Sequence, residues 1–307
     1  MATLELEKSV TFKNILAATD FSDASRHALR WAASITGLND GKLFLLNVLP
    51  GEPRLPVTLD PLPKGLDRAG CKADLEIQKL VSCKTIARVW HEELVRRGPV
   101  ADVVSDIIEE KGIDLLVTGS HGRKGLERVV LGSVAEELLR RASCPVLTVG
   151  PYAVPVPRVR RVVYATDFGD ASYLALPYAL DFANTEGGEL LLLHVVAPVP
   201  IDYIGPGWYS GSDLMQYELD KKRQVMQKLQ SLLPEDSQRK CLVEHMVQFQ
   251  LTAEGILEVA REREADLIVL GVRESGTLSA KLATHLPWTT VHEIVCQAGC
   301  PVLTVKA

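Results

Sequence analysis

The sequence predicts an α/β protein built from two tandem, doubly wound parallel sheets of five strands each. Short apolar runs alternate with amphipathic stretches of helical spacing, the whole alternation occurs twice, and a proline-rich segment separates the copies. Parallel neighbours require crossover connections, which are almost always right-handed, so this alternation leads to a sheet wound on both faces.

In the first copy, Asn14 to Thr19 is a short apolar run read as a strand. Ser22 is the N-cap of a helix whose apolar face is Ala24, Ala28, Trp31, Ala32 and Ile35. Leu43 to Val48 is fully apolar, as expected of a strand covered on both faces. Pro50 to Gly65 reads as a loop, and Glu76 to Ala87 as a helix with Leu75, Leu80, Val81 and Ile86 at its apolar positions. Val89 to Val95 has helical propensity, but its counterpart Val243 to Val247 looks like a strand, and both are assigned as strands. Val100 to Lys111 is a helix burying Val103, Val104, Ile107 and Ile108, Leu115 to Gly119 a strand, Ser133 to Ala142 a helix, and Val146 to Val149 the closing strand.

The second copy repeats these elements in order. Ala18-Thr19-Asp20-Phe21-Ser22-Asp23-Ala24-Ser25 returns as Ala165-Thr166-Asp167-Phe168-Gly169-Asp170-Ala171-Ser172, with one change. Leu45 to Val48 answers Leu192 to Val195, Asp114 to Val117 answers Asp266 to Val269, and Cys144 to Val149 recurs unchanged as Cys300 to Val305. A period of about 150 residues marks a duplicated domain, because solenoid units run to roughly 20–50. The stretch Gly150 to Pro157 is stiffened by its prolines, which puts the expected boundary between domains 1–150 and 151–307.

Composition narrows the function. The apolar fraction is 47%, the charged fraction 24% and the net charge −5, with no dense basic run, so a nucleic-acid partner is not expected. No apolar stretch is long enough to cross a membrane and the first ten residues have no signal-peptide core, so a cytoplasmic location is expected. The six cysteines form no CxxC pair, and Cys296, Cys300 and His292 do not have zinc spacing, so no metal site is expected.

One segment carries chemistry. Gly119-Ser120-His121-Gly122, nine residues, then Gly132-Ser133 lies between an apolar strand and an amphipathic helix. Main-chain amides approach an anion closely where side chains are missing, and a helix N-terminus adds unpaired N–H groups and a positive dipole end. Arg123 and Lys124 add positive charge beside His121. Ser133 also begins a capping box with Glu136, and Asp20 is suited to tying its own turn, since its twin Asp167 persists. The ends of the strands at Asp20, Val48 and Gly119 are expected to converge on one crevice, where such sheets bind ligands.

Taken together, the strand ending at Asp20, the Leu46-Asn47-Val48 strand end, the Asp114–Gly119 strand and the ungapped G-x2-G-x9-G-[ST] motif resemble the universal stress proteins in their tandem form. The resemblance implies a Rossmann-like sheet of order 3-2-1-4-5 and bound ATP, with Mg2+, in repeats whose motif is intact. It implies that Asp20 lies beside the adenosine and that Val48 presents its main chain to the adenine edge. Gly119, Gly122, Gly132 and Ser133 would hold ribose and phosphates, and His121 and Arg123 are expected to join them by their charge. Asn47 departs from the His common at that place and present in the second copy as His194. Family members dimerise through their last strand, which implies an intrachain pseudo-dimer through Val146–Val149 and Val302–Val305, a further homodimer, and a protein partner of unstated identity.

The second copy has lost the motif. Glu274 stands at the place of Gly122, Trp288 at that of Gly132, and the loop is longer, 271–288 against 119–132. Its Thr290 and Glu293 read as a capping pair. Nucleotide is therefore expected in the first repeat alone. No Walker A, GxGxxG or poised carboxylate pair is present, which favours an ATP-binding regulator over a slow ATPase or a self-phosphorylating enzyme.

Overall fold

The computed structural model describes residues 10–51, 68–120, 131–151, 153, 159–198, 211–233, 240–273 and 288–307. Its elements are β1 (Asn14–Ala18), α1 (Asp23–Leu38), β2 (Lys42–Leu49), α2 (Arg68–Val81), β3 (Trp90–Arg97), α3 (Val100–Lys111), β4 (Leu115–Gly119), α4 (Ser133–Arg141) and β5 (Val146–Val149). The second series is β6 (Arg161–Ala165), α5 (Asp170–Ala183), β7 (Glu189–Val196), α6 (Gly211–Gln230), β8 (Leu242–Phe249), α7 (Thr252–Glu262), β9 (Leu267–Val272), α8 (Trp288–Gln297) and β10 (Val302–Lys306).

One compact unit comprises Thr11–Arg158 together with Val295–Lys306. Its strands run β3-β2-β1-β4-β5, followed by β10. All neighbours are parallel except the last pair, in which β10 is antiparallel to β5 with Leu303 opposite Leu147. The other unit, built from Val159–Ile294, has the order β8-β7-β6-β9, all parallel. Compactness thus puts β10 with the first unit, although the repeat in the sequence makes it the fifth strand of the second copy.

The central strands read as continuous apolar runs because helices cover both faces. Ile15, Leu16, Leu43, Leu45, Leu46, Leu115 and Leu116 are fully buried, as are Leu190, Leu192, Leu193 and Ile268 in the second unit. α1 begins where expected, with Ser22 Oγ accepting the Ser25 N–H, and its buried face includes Ala28, Trp31, Ala32 and Ile35. α3 ends on Gly112, whose φ of 58° gives the left-handed C-cap that glycine adopts freely.

Several details differ from expectation. α2 starts earlier and turns Ala73, Ile77 and Leu80 inward, which leaves Leu75 on the outside at 64% exposure. In α3 it is Ala101 that is buried, with Val103 only half-buried. Asp114, quoted above as part of a strand that resembles the family, works at the amino end of the sheet. Its carboxylate accepts the main-chain N–H groups of Lys13 (2.7 Å) and Asn14 (3.1 Å), clamping β4 to the start of β1. Asp266 repeats the clamp on Arg160 and Arg161, both at 2.9 Å. Among the described residues, no helix is long and apolar enough to cross a membrane.

Candidate functional site

The carboxyl ends of β1 and β2 are joined by hydrogen bonds through one turn. After Ala18 the chain leaves the sheet as Thr19 N–H donates to Leu46 O at 2.8 Å, and Asn47 Nδ2 donates back to Thr19 O at 2.7 Å. Phe21 then adopts φ 67°, a left-handed conformation in which a bulky residue is strained. Two short-range bonds hold it: Thr19 Oγ1 accepts the Phe21 N–H (3.0 Å) and Asp20 Oδ1 accepts the Ser22 N–H (3.0 Å). The second unit repeats this with Phe168 at φ 62°, Thr166 Oγ1 on the Phe168 N–H (2.9 Å) and Asp167 Oδ1 on the Gly169 N–H (2.8 Å). Asp20 therefore has the turn-tying task read from its twin.

The one change in this octapeptide reroutes a serine. In the first copy Ser22 is the N-cap, and Ser25 Oγ donates to Ser22 O (3.0 Å) beside Thr19 Oγ1 (3.0 Å). In the second copy Gly169 has no capping side chain, and Ser172 Oγ donates instead to Asp167 Oδ1 at 2.5 Å. Asp167 is thereby turned toward its own helix by a bond that Ser25 does not make to Asp20.

Strand parity sets what Val48 offers. Leu46 directs its carbonyl to Thr19, so Val48, two residues on, directs its own N–H and C=O to the same side, beyond the point where β1 has left the sheet. The opposite parity is fixed by Leu49 O, which accepts the Gly98 N–H from the β3 side at 3.1 Å. Beside this notch Asn47 is 4% exposed, and its Oδ1 has no hydrogen-bond partner among the described residues. His194 makes the corresponding bond through Nδ1 to Thr166 O at 2.7 Å and packs its ring 4.8 Å from that of Phe168. Burial lowers the His194 pKa below 6.5, against the opposing effects of the Thr166 carbonyl and Asp167.

Gly119 has a packing reason that the motif concealed. A Cβ there would lie 2.9 Å from the carbonyl carbon of Ala24 and 3.1 Å from the Ser25 nitrogen, because the first turn of α1 rests on the end of β4. At Gly271 the same atom would lie 2.2 Å from the Ala171 carbonyl carbon, which accounts for the survival of this glycine in a repeat that lost the others.

Gly132 is the N-cap of α4, its N–H donating to Ser120 O at 2.8 Å, so the helix start folds back to the end of β4. Ser133 is consequently the first helical residue, not the cap. The expected capping box does not form: among the described residues no side chain caps α4, and Glu136 pairs with Arg140 at 3.1 Å. The φ of −62° at Gly132 is open to any residue. In the second copy α8 starts at Trp288 itself, which places Thr290 inside the helix and rules it out as an N-cap. His121, Gly122, Arg123, Lys124 and Glu274 lie outside the described residues. Among the described residues, no group of three His, Cys, Asp or Glu side chains could hold a metal ion.

The structure thus brings Asp20, Val48, Gly119, Gly132 and Ser133 to adjacent strand ends of a twice-repeated, doubly wound α/β protein. Comparison with known proteins gives this class a family. The sequence model of the universal stress protein family matches residues 11–150 and again 158–306. A universal stress protein of Methanocaldococcus jannaschii is 33% identical over 146 residues, covering 45% of this chain and 82% of that protein. One from Mycobacterium tuberculosis is 28% identical over 304 residues, covering 95% of this chain and 96% of the relative. The crystal structure of a universal stress protein from Archaeoglobus fulgidus superposes with a TM-score of 0.66 at 20% identity, covering 96% of this chain and 97% of that one, a likeness of fold. The chain belongs to the universal stress protein family, in a tandem arrangement.

Proposed function

We propose that the first repeat, within residues 1–150, binds an adenine nucleotide, ATP with Mg2+, at the carboxyl ends of β1, β2 and β4. In this reading the second repeat, 151–307, binds none. The observation that supports it most is the start of α4, where the N-cap is a glycine and, among the described residues, no side chain caps the N–H groups of the first turn. Such a helix start suits a phosphate. Two further features fit an adenosine: the main chain of Val48 directed past the end of β1, and the buried Asn47 Oδ1, which needs a donor. Asp20 then lies beside the nucleoside, while His121, Gly122 and Arg123, in the segment between β4 and α4, contact phosphates together with Gly119 and Ser133.

The second repeat argues against a nucleotide from its own residues. Trp288 stands at the start of α8, and Asp167 is held by Ser172. The protein is then a regulator in a stress response, its first repeat stabilised by nucleotide and its protein contacts changed with it.

The test is a thermal shift with ATP, AMP and no nucleotide, on the wild type and on Gly132→Trp, which copies the second repeat. The wild type gains several degrees at saturating ATP and the variant gains none; an equal gain in both would place the ligand elsewhere. Incubation with ATP and Mg2+ separates the regulator from the slow ATPase or self-phosphorylating enzyme. Release of more than about one ADP per minute, or label retained on the protein, would favour the enzyme.

A further inference from the structure

We propose that a hollow at the amino ends of β2 and β3 binds a medium-chain carboxylate, its tail against the last turn of α1 and its head on Lys84 and Arg88. The proposal is independent of nucleotide binding, which concerns the opposite, carboxyl ends of the strands. The hollow has a volume of about 350 Å3, within the range of small-molecule sites. One wall is the end of α1, with Ala33, Ser34, Gly37 and Leu38; the other is the chain entering β3, with Lys84, Arg88 and Val89. Small residues open it, because Ala33 and Gly37, four apart on one side of the helix, leave the space between the walls unfilled. No positive φ calls for glycine at position 37, and a Cβ there would meet Val89 Cγ1 at an ordinary 3.5 Å.

The second repeat bridges the same gap. Counted from Asp23 and Asp170, the first residues of α1 and α5, Asn184 stands at the place of Gly37 and Leu180 at that of Ala33. Counted back from Trp90 and Leu242, Lys240 stands at the place of Arg88. Asn184 Oδ1 accepts the Lys240 N–H at 2.7 Å, tying the helix end to the chain that enters β8. Gly37 has no side chain to make that tie. Gln78-Lys79-Leu80-Val81-Ser82 recurs as Gln227-Lys228-Leu229-Gln230-Ser231, so Lys84 occupies the place where the second repeat buries Leu233. Room and charge in the first repeat thus replace a bridge and a buried leucine in the second.

The lining sets the occupant. Ala33 and Val89 supply an apolar floor, and Leu38, 55% exposed, an apolar rim. Lys84 and Arg88 stand four apart on a single turn closed by the Ala87 N–H on Cys83 O at 3.0 Å. Among the described residues neither makes an ion pair or a hydrogen bond. They are not spent on the end of α1, where the carbonyls of Ile35 and Thr36 accept from Asn39 and Gly41 instead. The planar guanidinium takes both oxygens of a carboxylate, and the ammonium adds a point charge. An anion without a tail would leave the floor uncovered, and a neutral tail would leave both cations unpaired.

Amide NMR on the full chain without nucleotide tests this with octanoate, acetate and octanol, circular dichroism confirming that each variant is folded. Octanoate shifts the Val89 signal saturably with a dissociation constant below about 1 mM, and acetate and octanol bind at least about tenfold more weakly. Gly37→Leu fills the hollow with a better helix former and abolishes the octanoate response. K84E and R88E each raise the octanoate dissociation constant about tenfold and leave that of octanol unchanged, which a merely loosened fold would not do. No saturable shift with octanoate, octanol binding as tightly as octanoate, an unchanged response in Gly37→Leu, or indifference to both charge reversals would each overturn the proposal.

Discussion

Adding one methyl group at Gly119 or Gly271 separates a glycine kept for packing from one kept for a ligand. At Gly271 the new carbon would sit 2.2–2.3 Å from main-chain atoms of Ala171 and Ser172; at Gly119 the equivalent distances are 2.9–3.1 Å. Ordinary carbon contacts lie at about 3.5–4.0 Å, so α5 must retreat by more than about 1 Å and α1 by roughly half that. Overpacking of this kind costs about 1–3 kcal/mol, sometimes more, while alanine returns about 0.4–1 kcal/mol by restricting the unfolded chain. The expected net loss is about 1 kcal/mol for Gly119→Ala and about 3 kcal/mol for Gly271→Ala, read in nucleotide-free protein by urea denaturation. A domain of this size loses about 2–4 °C of Tm per kcal/mol. If Gly119 were bare only for the sake of a phosphate, Gly119→Ala would instead raise nucleotide-free stability slightly and diminish only the ATP-induced gain. That result, or an unperturbed Gly271→Ala, would refute the close approach of helix to strand as the cause.

Two other perturbations follow from buried groups. His194 has its pKa lowered by burial, so both states are neutral above 6.5 and the unfolded state takes up the proton first as pH falls. The second repeat should lose stability below that pH, and His194→Asn, which copies Asn47 and can still bond Thr166 O, should flatten the slope in denaturation curves at several pH values. Tyr164 is fully buried and its hydroxyl donates to Ser172 O at 2.6 Å. Tyr164→Phe should cost about 1 kcal/mol by urea denaturation. Burial also raises the Tyr164 phenol pKa, so the wild-type stability contributed there should be lost as pH climbs above 10.

The architecture was legible because two weak signals could be laid over each other. Val89–Val95 has helical propensity, and only its counterpart around Val243 brought it to the strand now seen as β3. What the repeat could not convey was which task each shared residue performs. Gly119 and Gly271 look like halves of a phosphate motif, yet their common duty is to let a helix lie on a strand end. Asn47 and His194 look like a departure, yet they donate to equivalent carbonyls, Thr19 O and Thr166 O. The Ser133–Glu136 pair has the right spacing for a capping box, but the helix starts one residue earlier than that pairing requires. Caps depend on where the preceding segment releases the chain, and side-chain spacing does not record it.

The antiparallel ladder between β5 and β10 bears on how this chain is born. β5 is wholly buried, and the strand lying against it, β10, follows about 150 residues further along the chain. At about 5–20 residues per second of synthesis, the nascent amino-terminal sheet waits on the order of 10–30 s with an apolar border uncovered. During that interval the emerging polypeptide is open to capture by a chaperone or by a neighbour on the same messenger, and the hazard ends only when β10 has been made.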